Sequence, residues 1–264
     1  MSSDTQFPSS ALIGLADRQL DGWAVAETGE IAPGVEVKPG MQIVDIGCGD
    51  GGYASFCARM GADITFVDIQ EEKVRALEEK LQGEGHTGQI RGITSECNPI
   101  PLADGYADLI VSTEVLEHVH SPEQFLNEMV RIGKPNATFL LTVPDARGEH
   151  LVKATAPEVY FQEPNHIQIF SPDDFRSLVE NCGLEVLDQK HVGAFWAVFF
   201  LFKWATTTAD SGLNEANHPM TQHWTSAWSE VLKHPQGKEI REALNNAVPS
   251  SQVITARKRG GDQG

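Results

Sequence analysis

Apolar positions along this chain alternate between two periods. Residues 42–46, 63–68, 89–94, 107–112 and 137–143 form short runs rich in Ile, Val, Leu and Phe, the length and composition of buried strands. Residues from about 52 to 60, 71–82 and about 121–132 instead carry apolar side chains at helical spacing. Strands that alternate with helices in this way predict a parallel, doubly wound α/β sheet. Upstream, Leu12, Ile13, Ala16, Leu20 and Trp23 predict a helix over 12–26, followed by a Gly- and Pro-containing loop from Gly29 to Gly40. Downstream, a helix should end near Cys182, with Gly183 as its left-handed cap, and strands should follow at Leu184 to Leu187 and Gln252 to Ala256.

Two helix starts share a design. Ser121-Pro122-Glu123 and Ser171-Pro172-Asp173-Asp174 each set a capping hydroxyl before a first-turn proline and acids facing the positive dipole end. Between the last two strands lies a long stretch containing Phe195, Trp196, Phe199, Phe200, Phe202, Trp204, Trp224 and Trp228. It is too long for a plain connection, and reads as an added helical layer, as the wall of a substrate pocket, or as both.

Composition narrows the setting. At 264 residues and 41% hydrophobic content the chain can close a substantial core, and one domain with additions is expected over 1–264. Its parts are a helix and lead-in at 8–40, a core at 41–190, a helical insertion at 191–250, and a last strand with a frayed tail at 251–264. No apolar run reaches membrane-spanning length and the first residues lack a secretory pattern, so a soluble cytoplasmic protein is expected. The four cysteines, Cys48, Cys57, Cys97 and Cys182, show no paired spacing and read as free thiols. A formal net charge of −17 repels polyanions and makes nucleic acid an unfavoured partner. The basic cluster Arg257, Lys258 and Arg259 lies beside a Gly-rich end and is expected to be frayed.

The chemistry begins at Val44-Asp45-Ile46-Gly47-Cys48-Gly49-Asp50-Gly51, where glycines sit between an apolar strand and a helix. Their missing side chains let a ligand approach the turn and the helix N-terminus closely. Alone, this loop is ambiguous, because Gly47, Gly49 and Gly52 also satisfy a dinucleotide-binding spacing. Three features separate the readings. A carboxylate at Asp45, just before the first glycine, opposes an anionic pyrophosphate and suits an ammonium or sulfonium. Asp68 ends the next strand about twenty residues on, where its two oxygens can bind ribose hydroxyls. The stretches Glu96-Cys97-Asn98-Pro99-Ile100-Pro101-Leu102 and Tyr106 to Ser112 have no place in a dehydrogenase.

These motifs, from Val44 to about Gly183, resemble the class I S-adenosylmethionine (SAM) dependent methyltransferases, in particular the subgroup of ubiquinone-biosynthesis O-methyltransferases. The resemblance implies a mostly parallel, seven-stranded, Rossmann-like sheet with an N-terminal helix and a helical insertion before the last strand. It also implies that Asp45, Gly47, Gly49 and Gly51 hold the methionine portion of SAM, Asp68 the ribose, and Glu96 the adenine amino group. Glu96 stands where aspartate is usual, and Cys97 would offer its backbone N–H.

After the fourth strand of the sheet comes Ser112-Thr113-Glu114-Val115-Leu116-Glu117-His118-Val119, at the end where open α/β sheets bind ligands. If it forms a helical turn, Glu114, Glu117 and His118 converge on one face and can hold a divalent ion. His166 in the later loop is a fourth candidate. This set resembles that of metal-dependent small-RNA 2′-O-methyltransferases, and its first three members resemble metal-assisted ubiquinone O-methyltransferases. Three readings stay open: a metal site for Mg, Mn, Fe, Co or Zn; a single His118 or His166 base; and a structural role.

The expected function is methyl transfer from SAM to an oxygen of a small-molecule acceptor, with or without a metal. The alternatives are methylation of an RNA 3′ terminus and a non-catalytic SAM-binding partner protein. Neither the acceptor nor the oligomeric state follows from these residues.

Overall fold

The computed structural model describes residues 8–207 and 218–260. Helix α1 (Ser10–Leu20) leads into a small hairpin of β1 (Glu30–Ala32) and β2 (Val35–Glu36). The core then alternates β3 (Gln42–Ile46), α2 (Gly52–Arg59), β4 (Asp63–Asp68), α3 (Glu71–Gly83), β5 (Ile90–Thr94) and β6 (Ala107–Thr113). A 3₁₀ turn at Leu116–His118 precedes α4 (Pro122–Ile132), β7 (Gly133–Pro144) and α5 (Ala146–Val152). A second 3₁₀ turn at Glu158–Phe161 leads to α6 (Pro172–Asn181) and β8 (Leu184–Val192). The insertion holds α7 (Ala194–Thr206), α8 (Pro219–Lys233) and α9 (Gly237–Ala247) before β9 (Ser251–Lys258).

Seven strands form one sheet in the order β5-β4-β3-β6-β7-β9-β8. The first five run parallel, while β9 enters antiparallel between β7 and β8 and sets Ala256 opposite both Phe139 and Val186. This is the mostly parallel, doubly wound architecture that the alternation predicts. Helices cover both faces, so side chains of both parities along a strand are buried. Val44, Ile46, Val67, Phe139 and Leu141 pack on one side with Leu126, Met129 and Phe175, whereas Ile43, Ile64, Phe66 and Leu140 pack on the other with Phe56, Leu77 and Leu81. A third, smaller core lies in the insertion, where Phe195, Phe199 and Trp228 are buried together and Trp224 donates its indole N–H to the Phe195 carbonyl at 2.9 Å.

Several local expectations are corrected. Helix α1 stops at Leu20, because Gly22 turns the chain with φ +84°. Its buried residues are Gly14 and Asp17, while Leu12, Leu15 and Leu20 are exposed. The partners decide this: Gly14 fits against the Trp196 ring, and Asp17 and Asp21 meet the buried Arg241 at 3.3 and 2.7 Å. Ser171 caps α6 by accepting the Asp174 N–H at 3.1 Å, but Ser121, with ψ 73°, makes no cap bond. The basic end is not frayed as far as Lys258. Arg257 and Lys258 belong to β9, and the Lys258 ammonium donates to the carbonyls of Val130 and Gly133 at 2.7 and 2.8 Å, near the end of α4. The expected tail beyond Gly260 lies outside the described residues. Among those residues no helix is long and apolar enough to cross a membrane.

Candidate active site

Strands β3 and β6 are neighbours from which the chain winds outward in both directions, and a crevice opens at their carboxyl ends. Two segments meet there: the glycine loop after β3 and residues 114–118 after β6. The glycines divide two tasks. A Cβ on Gly47 would stand 2.3 Å from Val115, and one on Gly51 2.3 Å from Leu77, so both allow close packing of the loop. Gly49, with φ +51°, faces open space where a Cβ would stand and so lets a ligand approach the loop closely.

Asp45 is buried at the end of β3, and its Oδ2 has no hydrogen-bond partner. Burial pushes its carboxyl up to about 7, opposed by a backbone bond from Ala54 and reinforced by the charge of Asp68. Asp68 closes β4, and its two oxygens accept the Gly49 N–H at 3.0 Å and the Gln70 N–H at 2.9 Å. Beside it Ile69 is 63% exposed, an apolar side chain with no core to cover it. Glu96 is exposed in the loop after β5. Cys97 is buried with φ +58°, and its N–H is donated to Ser95 Oγ at 3.0 Å, so the free N–H expected there is already spent.

The chain departs most from the expected pattern at residue 114. Glu114 has φ +56°, and the 3₁₀ turn begins only at Leu116. Its side chain therefore leaves the proposed face and accepts the Thr142 hydroxyl at 2.8 Å, apart from the other three candidates. Glu114 opens onto a cavity yet is surrounded by protein elsewhere, and this desolvation raises its carboxyl against the Thr142 bond and the charge of His166.

Glu117, His118 and His166 do converge, each offering a ligand atom within 4.8 Å of the others. Glu117 is fully buried, and neither of its oxygens has a hydrogen-bond partner. Burial, then the charges of Glu114 and Glu149, raise its carboxyl well above the ordinary range. The imidazole tautomers follow from their neighbours. His118 Nδ1 lies 3.1 and 2.9 Å from the carbonyls of Pro164 and Asn165, which only accept, so its proton is on Nδ1. His166 Nδ1 lies 3.1 Å from Glu149 Oε2 and donates to that carboxylate. The His118 Nε2 is thereby the ring nitrogen left beside Glu117, 3.6 Å from its Oε1, and a ring nitrogen of His166 lies within 4.8 Å of both groups.

His166 also borders a cavity of about 340 Å³ between the sheet end and the insertion. Trp196, Phe200 and Tyr160 supply aromatic walls, and Glu114, Arg18 and Tyr53 supply polar ones. Such a size suits a small molecule.

A family model described as a methyltransferase domain matches residues 27–189, more than half of the chain. The chain belongs to the methyltransferase-domain family. It is a SAM-dependent enzyme of that family, and its relatives differ in what they methylate. The ubiquinone biosynthesis O-methyltransferase of Cereibacter sphaeroides (strain ATCC 17025 / ATH 2.4.3) is 25% identical over 181 residues, covering 66% of this chain and 70% of that protein. The norajmaline N-methyltransferase of Rauvolfia serpentina is 28% identical over 105 residues, covering 39% of this chain and 36% of that protein. The solved structure of the cyclase SpnF shares the fold, with a TM-score of 0.59 at 16% identity over 96% of this chain and 81% of that one.

The candidate site includes residues that sequence spacing did not reveal. Glu149 of α5, 4% exposed, receives both the His166 N–H and the Tyr160 hydroxyl, the latter at 3.1 Å. Arg18 and Tyr53 reach the cavity from α1 and α2. None of these lies at a motif spacing.

Proposed function

We propose that this methyltransferase transfers the methyl group of SAM to an oxygen of a small molecule held in the cavity, with a divalent ion bound by Glu117, His118 and His166. The observation that carries this reading is the Glu117 carboxyl, fully buried with both oxygens unpartnered and a ring nitrogen of both His118 and His166 within 4.8 Å of it. Ionising such a buried carboxyl without a partner costs several kcal/mol, roughly, and a cation there offsets the cost. The donor set fits the group: two nitrogens and a carboxylate oxygen suit manganese, iron, cobalt or zinc, or magnesium completed by waters. When bound, such an ion lowers the pKa of an acceptor hydroxyl and fixes its direction.

The chain's own residues do the rest. Glu149 sets the tautomer and aim of His166, and Tyr160 holds Glu149 in turn. Trp196 and Phe200 wall the cavity and reduce water around the reacting oxygen. The glycine loop carries the cofactor, with the open approach at Gly49 and the acid Asp45 toward the methionine portion. Asp68 takes the ribose hydroxyls, Glu96 the adenine amino group, and Ile69 covers the flat face of the base. Because the leaving group already bears a sulfonium charge, catalysis is mainly alignment for in-line attack. Methyl passes from sulfur to oxygen, the hydroxyl proton is released, and S-adenosylhomocysteine is the second product.

The name of the Cereibacter relative supports oxygen as acceptor, and the net charge of −17 supports a small molecule over RNA. The test is S-adenosylhomocysteine formation with a panel of phenols, alcohols, amines and activated carbon acids. Turnover of hydroxyl acceptors, lost on exhaustive chelation and restored by Mn²⁺, is expected. Full activity after chelation removes the ion, and turnover confined to amines or carbon removes the oxygen assignment.

A further inference from the structure

We propose that Arg18 and Tyr53 form a carboxylate-binding site in the cavity wall, so that the methyl acceptor is a small organic acid. The proposal rests on reading this cavity as the acceptor site. Arg18 is half-buried, and among the described residues no carboxylate lies within ion-pair distance of it, in a chain with 37 acidic against 20 basic side chains. Its guanidinium instead lies over the rings of Trp23 at 4.6 Å and Tyr53 at 5.5 Å and donates to the Tyr53 hydroxyl oxygen. These contacts fix the plane of the guanidinium and leave other N–H groups unspent. Burial raises the Tyr53 phenol, with Arg18 opposing, so the phenol keeps its proton. Having accepted from Arg18, Tyr53 has its own O–H left to donate. A planar guanidinium beside a hydroxyl donor matches the two oxygens of a carboxylate.

Glu114 shares the cavity and its charge reaches both Arg18 and Tyr53, but among the described residues it makes no ion pair with Arg18, and the acids of the cavity have other hydrogen-bond partners. Glu149 is engaged by Tyr160 and His166, and Glu114 by Thr142. Aromatic walls from Trp196, Phe200 and Tyr160 then suit a flat, apolar body between the acid and the reacting oxygen. A carboxylate is also present on the methionine portion of SAM. Asp45, Gly49, Asp68 and Glu96 are all absent from the cavity lining, which favours the acceptor as the source; the charge of Asp45 nevertheless reaches Tyr53, so the S-adenosylhomocysteine affinity of the variants separates the two sources.

The experiment is calorimetric binding to the full chain saturated with S-adenosylhomocysteine. The probes are meta and para hydroxybenzoate, hydroxycinnamate and hydroxyphenylacetate, each beside its methyl ester. At least one acid is expected to bind about ten-fold or more tightly than its ester. Arg18→Gln abolishes that preference, Arg18→Lys retains part of it, Tyr53→Phe reduces it, and S-adenosylhomocysteine affinity is unchanged in all three. The proposal is overturned if no acid exceeds its ester, if Arg18→Gln keeps the preference, or if that variant weakens S-adenosylhomocysteine instead. The acid-to-ester ratio is read by binding, so it stands with metal removed and stands equally if methyl transfer goes to nitrogen or carbon.

Discussion

Replacing Asp45 by Asn should change cofactor affinity and fold stability in opposite directions, and both effects depend on pH. The carboxyl is buried and pushed up to about 7, so near neutrality it is a mixture of forms. An ammonium-bearing ligand favours the ionised form, whose share rises from about 3% at pH 5.5 to about 50% at pH 7. Affinity for S-adenosylhomocysteine should therefore rise about sixteen-fold across that interval, below the ordinary α-amino pKa of about 7.7–8.0, so the ligand keeps its charge. Stability runs the other way. A carboxyl raised from its ordinary 3.8 stabilises the fold fully below that value and loses this contribution as pH climbs through about 7. Asp45→Asn removes the titration, so its stability relative to the native chain should grow by about 2.7 kcal/mol between pH 5 and pH 8. Calorimetric titration at four pH values gives the first quantity, and urea unfolding at the same values gives the second. An affinity that is flat with pH in the native chain, or equally steep in Asp45→Asn, would refute the placement of the ammonium beside Asp45.

Other residues yield sharper local tests. Arg241, 5% exposed, joins α9 to the buried Asp17 of α1, so Arg241→Ala should cost about 3–5 kcal/mol in urea unfolding by stranding that acid; a loss below about 1 kcal/mol would contradict the pairing. Gly14→Ala would bring a Cβ to 2.3 Å from Trp196 Cζ2. Pushing the ring toward the cavity should weaken acceptor binding at unchanged S-adenosylhomocysteine affinity, with about 1–3 kcal/mol lost in thermal unfolding. Glu149→Ala removes the carboxylate that aims His166 and should lower Mn²⁺ affinity about ten- to a hundred-fold; unchanged affinity would make Glu149 a packing residue only.

The sheet was legible because its strands are buried on both faces, which forces continuous apolar runs such as Ile43-Val44 and Phe66-Val67. The glycine loop was legible because its conformation demands glycine, with φ +71°, +51° and +75° at residues 47, 49 and 51. Residue 114 shows where such reading ends. A glutamate gives no sign that it will adopt φ +56°, and that single dihedral takes its side chain out of the set formed by Glu117, His118 and His166. The face of α1 was misjudged for a related reason. Helical spacing identifies apolar residues, but what is buried depended on Trp196 fitting against Gly14 and on Arg241 drawing in Asp17. Glu149, Tyr160 and Arg18 were silent because their partners come from separate elements and follow no local period.

The central claim is the centre formed by Glu117, His118 and His166, and a Mn²⁺ titration followed by the spin-resonance signal of the free ion tests it most directly. One ion per chain should bind, with binding lost in Glu117→Gln and His166→Ala and retained in Glu114→Gln, whose side chain stands apart. No binding by the native chain, or binding undiminished in Glu117→Gln, would contradict the account.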